Sequence, residues 1–170
     1  MRLKRTTTCG QLTAENVNEE VILNGWIAKN RDHGGVIFLD LRDRYGKTQV
    51  TFNPDLDGDI AAEAKRLGME DVVAVRGTVQ LRPDGNVNPN MPTGSIEVVA
   101  TELEVLNEAQ PLPFLVSDRE SGSEDLRLEY RYLELRTAEL QKLMTIRSKT
   151  YQSARSRLNA EGFMEFETPV

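Results

Sequence analysis

The first two-thirds of the sequence predict a mainly β domain of five short strands and one helix, and the rest predicts the beginning of an α+β unit. Three observations carry this expectation. Short apolar, β-branched runs recur between residues 18 and 106, closed off by Gly, Pro and Asn turn signals. One stretch among them, between the third and fourth runs, has helical spacing instead. From residue 140 the apolar period lengthens to that of a helix.

The elements follow in order. Val21 to Lys29 is apolar and rich in strand formers. Val36 to Arg42 is the clearest strand, and Thr48 to Phe52 follows it across the Tyr45-Gly46 turn signal. Gly58 to Leu67 reads as a helix with Ile60, Ala61, Ala64 and Leu67 on one face and Gly68 as its stop. Asp71 to Leu81 and Ser95 to Leu106 are the last two strands. Between them, Arg82 to Gly94 is a long loop with three prolines and three asparagines. Five strands with a helix between the third and fourth is the order of the OB-fold barrel, although a five-strand antiparallel sandwich gives the same signals. Pro111-Leu112-Pro113 and the polar run to Asp125 read as a hinge. Leu140, Leu143, Met144, Arg147, Tyr151, Ala154 and Leu158 then recur at helical spacing, Gly162 sits at a helix C-cap, and Phe163 to Phe166 reads as a short strand. The expected domains are 1–108 for the barrel, 109–125 for the hinge and 126–170 for the start of a second domain. One helix and one strand bury no core alone, so residues beyond about 135 are expected to expose apolar surface and to be partly disordered or to self-associate.

Composition narrows the function. Hydrophobic residues are 39% and charged residues 28% of the 170, a globular rather than a disordered balance. No apolar run approaches the roughly 20 residues of a membrane span, and Thr6-Thr7-Thr8 follows the basic start where a secretory signal would be apolar. Cys9 is the single cysteine, which excludes an internal disulfide and fits a reducing cytoplasm, and one Cys with one His builds no zinc site. The net charge of −6 is uneven. Residues 1–50 hold eight Lys/Arg against six Asp/Glu, whereas residues 51–110 hold four against eleven. A polyanion is therefore expected to meet the first fifty residues and to be gripped locally.

Strand alternation places the candidate groups. Ile37, Leu39 and Leu41 face the core, so Phe38 lies on the other face with Asp40 and Arg42. Val50 and Phe52 belong inside, which turns Gln49 outward onto the face of Phe38. Arg31 and His33 precede the second strand, at the mouth of that surface. A ring for stacking, an amide for a base edge and a nearby cation are what a reader of single-stranded RNA needs. OB-folds bind oligonucleotides on this strand 2–3 face. Each residue alone has a plainer reading: Phe38 as packing under a loop, Gln49 as a solvated strand residue, Arg31 as the ion-pair partner of Asp32, His33 as a turn residue. Only their placement around one patch argues for binding. Cys9 reads as a small buried hydrophobe. Asp55, Asp57 and Asp59 lack the closing Glu of a calcium loop and mark a helix start. No glycine-rich phosphate loop is present.

Five strings carry a resemblance: CGQL at 9–12, NGWIAKNRDHGGVIFLDLRDRYG at 24–46, TQVTFNPD at 48–55, LRLEYRYLELR at 126–136 and GFMEFETPV at 162–170. In that order they resemble the N-terminal part of bacterial-type aspartate–tRNA ligases, a class II aminoacyl-tRNA synthetase family. The last string is similar to the family's motif 1, with Pro169 as its proline. RDHGGVIFLDLRDR favours the aspartate member over its asparagine and lysine relatives. The resemblance implies an OB-fold that binds the tRNA anticodon loop, with Phe38 stacked on the central uridine and Gln49 and Arg31 contacting the same base. Arg82, Asn86 and Asn88 would lie near the other anticodon letters, and the region of His33 and Gly85 bears on the third. It implies a homodimeric parent with the Leu140–Leu158 stripe near the interface. It also implies that the parent uses ATP and Mg²⁺ to attach aspartate to its tRNA in the cytoplasm. Motifs 2 and 3 are absent from these 170 residues, so the chain alone is expected to hold neither cofactor and no catalytic residue.

The main expectation is thus part of an aspartate–tRNA ligase. The alternatives are a stand-alone, non-catalytic RNA-binding module, a generic single-strand-binding OB protein, and a dimerisation piece built on the last helix. Ten aromatics and a negative net charge count against the generic binder. The Phe38–Gln49 patch is unexplained by the dimerisation piece.

Overall fold

The computed structural model describes residues 2–168 and divides them into two compact units, split between Gln110 and Pro111. The ends of the chain within the motif-like string, Pro169 and Val170, lie outside the described residues.

The first unit contains β1 (Glu20–His33), β2 (Val36–Arg42), β3 (Lys47–Phe52), α1 (Gly58–Arg66), β4 (Val72–Leu81) and β5 (Ile96–Asn107). The strands close into a barrel in the order β1-β2-β3-β5-β4. All contacts are antiparallel except β3 with β5, which is parallel over the pairs Val50–Val98 and Thr51–Val99. This is the closed five-strand arrangement that the strand order predicted, not an open sandwich. Closure matters because it leaves no long free edge on either side of the β2–β3 face.

Alternation fills the barrel. Leu23, Ile27, Ile37, Leu39, Leu41, Val50, Phe52, Val73, Val75, Ile96 and Val98 are buried in one core. Helix α1 plugs one end with Ala61, Ala64 and Leu67, while Ile60 packs at the margin. Asp57 caps this helix, its Oδ1 accepting from the N–H groups of Asp59 and Ile60, which settles the carboxylate run as a helix start. Cys9 is fully buried in the same core, and burial together with the Asp43 carboxylate pushes its thiol well above the usual range, leaving an inert side chain.

β1 runs four residues past the end of its apolar run. It continues through Asn30, Arg31, Asp32 and His33, which pair with β2 up to a two-residue turn at Gly34-Gly35. Both glycines have positive φ, 64° and 95°, as a tight hairpin turn of this hand requires. Arg31 and His33, which precede β2, are thus the last part of β1.

In the second unit, Leu112, Phe114 and Val116 pack with Leu126, Tyr130 and Leu133 into a small core. These residues come from the 111–116 segment, from α2 (Glu124–Glu129) and α3 (Arg131–Glu134), and from Tyr130 between the two helices. Glu134, buried at the end of α3, accepts from Arg119 and Arg131 and pairs with Arg127. Helix α4 (Ala138–Ala160) ends at Gly162, φ 87°, where the Phe163 N–H bonds Leu158 O and the Gly162 N–H bonds Asn159 O. That is the six-to-one and five-to-two closure expected of a C-cap glycine. The short strand expected at Phe163–Phe166 is not formed. No strand among the described residues pairs with it, and an extended segment without a ladder partner is not a strand. It folds back along α4 around a crevice of about 450 Å³, with Arg155 paired to Glu165.

Candidate nucleic-acid interface

The outer face of β1, β2, β3 and β5 is ordered in two rows by the strand register. Arg31 stands opposite Phe38, and Phe38 opposite Thr51. One step along, Lys29 stands opposite Asp40, and Asp40 opposite Gln49. Side chains directly across an antiparallel pair share a face, so Arg31, Phe38, Asp40, Gln49 and Thr51 line one surface. Val50 and Thr51 pair with Val98 and Val99 of β5, which brings Glu97 alongside.

Arg31 reaches this face because of a bulge. The register shifts between Ile27 and Lys29, leaving Ala28 as the extra residue. Ile27 faces the core, so an unbroken strand would turn Lys29 and Arg31 inward as well. The bulge reverses the alternation and re-aims both outward. Asn30 then faces the helix end, where its Nδ2 donates to the carbonyls of Ala64 and Leu67 at 3.0 and 2.8 Å.

A charged and polar chain crosses the two rows. The Arg31 Nη2 donates to Asp40 Oδ1 at 2.5 Å and to Gln49 Oε1 at 3.3 Å. The Gln49 Nε2 donates to Glu97 Oε2 at 2.8 Å, and Thr51 Oγ1 donates to the same oxygen at 2.6 Å. Asp40 is 9% exposed, whereas Phe38 and Gln49 are half-buried. His33 is exposed and meets the Phe38 ring edge-on, centroids 5.9 Å apart. Phe38 thus presents a ring supported at its edge and flanked by oriented hydrogen-bonding groups. Such a surface can stack a base and read its edge.

The plain reading of Arg31 as the partner of Asp32 does not hold. Asp32 pairs with Lys65 at 2.7 Å and accepts from the Gly35 N–H, and these contacts hold its carboxyl below the usual range. Asn86 and Asn88 are exposed on the β4–β5 loop. Arg82 is placed differently from its expected position on that loop: it lies beneath it, 7% exposed, with Nε donating to Ile96 O at 2.8 Å. Burial pushes its guanidinium below the ordinary value, while the Glu97 and Asp40 carboxylates act in the opposite direction. Asp40, Thr51 and Glu97 are the participants that sequence reasoning missed as such. The signal for Glu97 was its alternation between Ile96 and Val98.

Among the described residues no group of three or more His, Cys, Asp or Glu side chains could hold a metal ion. No helix among them is long and apolar enough to cross a membrane.

A closed five-strand barrel with a helix between the third and fourth strands is the OB architecture, and residues 21–106 match the family described as OB-fold nucleic acid binding domain. The chain belongs to that family. Residues 123–170 match a second one, the class II tRNA synthetases (D, K and N). An aspartate–tRNA(Asp/Asn) ligase from Desulfosudis oleivorans is 48% identical over 167 residues, covering 98% of this chain and 28% of its own. Its counterpart from Oleidesulfovibrio alaskensis is 51% identical over 165 residues, 97% of this chain and 27% of its own. The chain thus spans a little over a quarter of the length of these curated relatives. Among solved structures, asparaginyl-tRNA synthetase from Pyrococcus horikoshii superposes with a TM-score of 0.83 at 29% identity, covering 99% of this chain and 38% of that one.

Proposed function

We propose that the chain reads the tRNA anticodon as part of an aspartate–tRNA ligase, with the β2–β3 face as the contact surface. The parent reaction would be the ATP-dependent attachment of aspartate to tRNA. The observation that carries this reading is the Phe38 ring beside an Arg31–Gln49 pair held in one geometry. The relatives' names support the substrate, since they specify tRNA(Asp/Asn). Those two tRNAs share the first two anticodon letters and differ in the third. A site that stacks and reads the central uridine serves both. Phe38, Arg31 and Gln49 take that base in this proposal, and His33, Asn86 and Asn88 lie where the neighbouring letters pass. Arg82 acts from beneath the loop. The parent is a homodimer in this reading, with the apolar side of α4 near its interface, and works in the cytoplasm.

The test is binding of the purified chain to an anticodon stem-loop bearing GUC, with GAC as control, at one fixed salt concentration. GUC is expected to bind more tightly, and Phe38→Ala to lose about 1–3 kcal/mol of that binding, the contribution of one stacked base. Equal binding of both loops, unaffected by the substitution, would contradict the assignment.

A further inference from the structure

We propose that Asp40 is the positioning residue that makes the Phe38 site choose uracil over cytosine. It does so by holding Arg31, and through Arg31 the Gln49 amide, in a single orientation. The inference rests on the anticodon reading above and adds to it a residue with no base contact of its own.

Asp40 sits at the centre of the network. It is opposite Gln49 in the β2–β3 register, nearly buried, and bonded to Arg31 Nη2 at 2.5 Å. The same nitrogen donates to Gln49 Oε1 at 3.3 Å, and Glu97 takes the Gln49 Nε2 at 2.8 Å. A turned-over amide would set its NH₂ against the guanidinium and its carbonyl against the Glu97 carboxylate, and both contacts are repulsive. The carbonyl is thereby held on the Arg31 side and the NH₂ on the Glu97 side. Each retains one unused function, a lone pair on Oε1 and an N–H on Nε2.

Together with the guanidinium, the face offers donor, acceptor, donor in sequence. Uracil presents acceptor, donor, acceptor along its pairing edge and matches at every position. Cytosine presents an unprotonated N3 where the site has the Gln49 oxygen, so two acceptors meet. A site built on fixed hydrogen-bonding groups rejects the base that leaves one of them unpaired. Without the Asp40 carboxylate, Arg31 is free to swing toward Glu97, the Gln49 oxygen loses its anchor, and the amide can present either end. Stacking on Phe38 survives, but the choice between pyrimidines does not.

The experiment compares affinities of the 170-residue chain for stem-loops bearing GUC and GCC. The unmodified chain is expected to prefer GUC. Asp40→Asn, close to isosteric, is expected to keep the thermal midpoint and to reduce the GUC-to-GCC ratio about tenfold. Because Asp40 acts through Arg31, the double variant with Arg31→Gln is expected to lose no more of the ratio than Arg31→Gln alone. A ratio unchanged in Asp40→Asn, or additive losses in the double variant, overturns the role of Asp40. No preference in the unmodified chain overturns the anticodon reading itself and this inference with it. Should Asp40→Asn not fold, Arg31→Gln alone carries the test, since removing the guanidinium breaks the link from Asp40 to the Gln49 oxygen. A retained ratio there refutes the relay.

Discussion

Two glycines let the N-terminal segment cross the β2–β3 turn. A Cβ on Gly46 would lie 2.5 Å from the Gly10 Cα, and one on Gly10 would lie 2.2 Å from the Tyr45 carbonyl oxygen. Around this crossing Asp43 accepts from the N–H groups of Cys9, Tyr45 and Gly46, and Thr48 Oγ1 donates to Cys9 O at 2.6 Å. Gly46→Ala has backbone, not a flexible side-chain tip, in its way. It is expected to destabilise the barrel by about 1–3 kcal/mol, read as a lower urea midpoint. An unchanged midpoint would mean that the strap is not held by this approach. At the same scale, the outward placement of Phe38 and Gln49 was legible because a strand's period of two needs no partner to be read. The partners were not legible. Asp40 was placed on the right face, but only the register puts it opposite Gln49 and beside Arg31. Arg82 was read as a loop residue because its burial depends on how the loop folds over it.

At the scale of elements, the β1 bulge has the largest functional effect. Alternation counted from Ile27 turns Arg31 inward, and the extra residue at Ala28 turns it out. Nothing in the local sequence marks this bulge, since Ala28 carries neither the glycine nor the proline that often signals one. The same shift lets Asn30 bind the α1 carbonyls, so helix position and binding face are coupled. Asp57→Ala removes the α1 cap and is expected to cost about 0.5–2 kcal/mol of stability. Chemical denaturation of the variant measures it, and an unaltered curve would show that the cap does not secure the helix. The strand expected at Phe163–Phe166 was misplaced for a general reason. Residue preference identifies a segment willing to be extended, but a strand also needs a neighbour to bond with.

At the scale of the molecule, the second unit depends on a buried carboxylate. Arg119, then Arg131, hold the Glu134 carboxyl below its ordinary value of 4.5. A carboxyl lowered in the folded state contributes stability that is complete above the ordinary value and is lost as pH falls through the lowered one. Acid is therefore expected to weaken this unit as pH falls below that ordinary value, and Glu134→Gln to flatten that part of the acid dependence. Near-ultraviolet circular dichroism, which reports on Tyr130 in the adjacent core, follows the transition; superimposable acid curves would contradict the role. Every residue of α4 beyond Leu140 is exposed, including Leu143, Met144, Ile146, Tyr151 and Leu158. Leu143, Met144, Tyr151 and Leu158 belong to the stripe that the helical spacing predicts, and Ile146 lies outside it. Sedimentation is expected to show association rising with concentration, reduced by Leu143→Glu together with Ile146→Glu. A concentration-independent monomer would rule it out.

The most direct measurement for the anticodon reading is amide nuclear magnetic resonance of the 170-residue chain, titrated with a GUC stem-loop. The largest shifts are expected along one contiguous surface, from Arg31 and His33 across Phe38, Asp40 and Gln49 to Glu97, with Asn86 and Asn88 at its margin. Shifts centred instead on the opposite wall of the barrel, around Arg76 and Glu102, or spread without a focus, would contradict it.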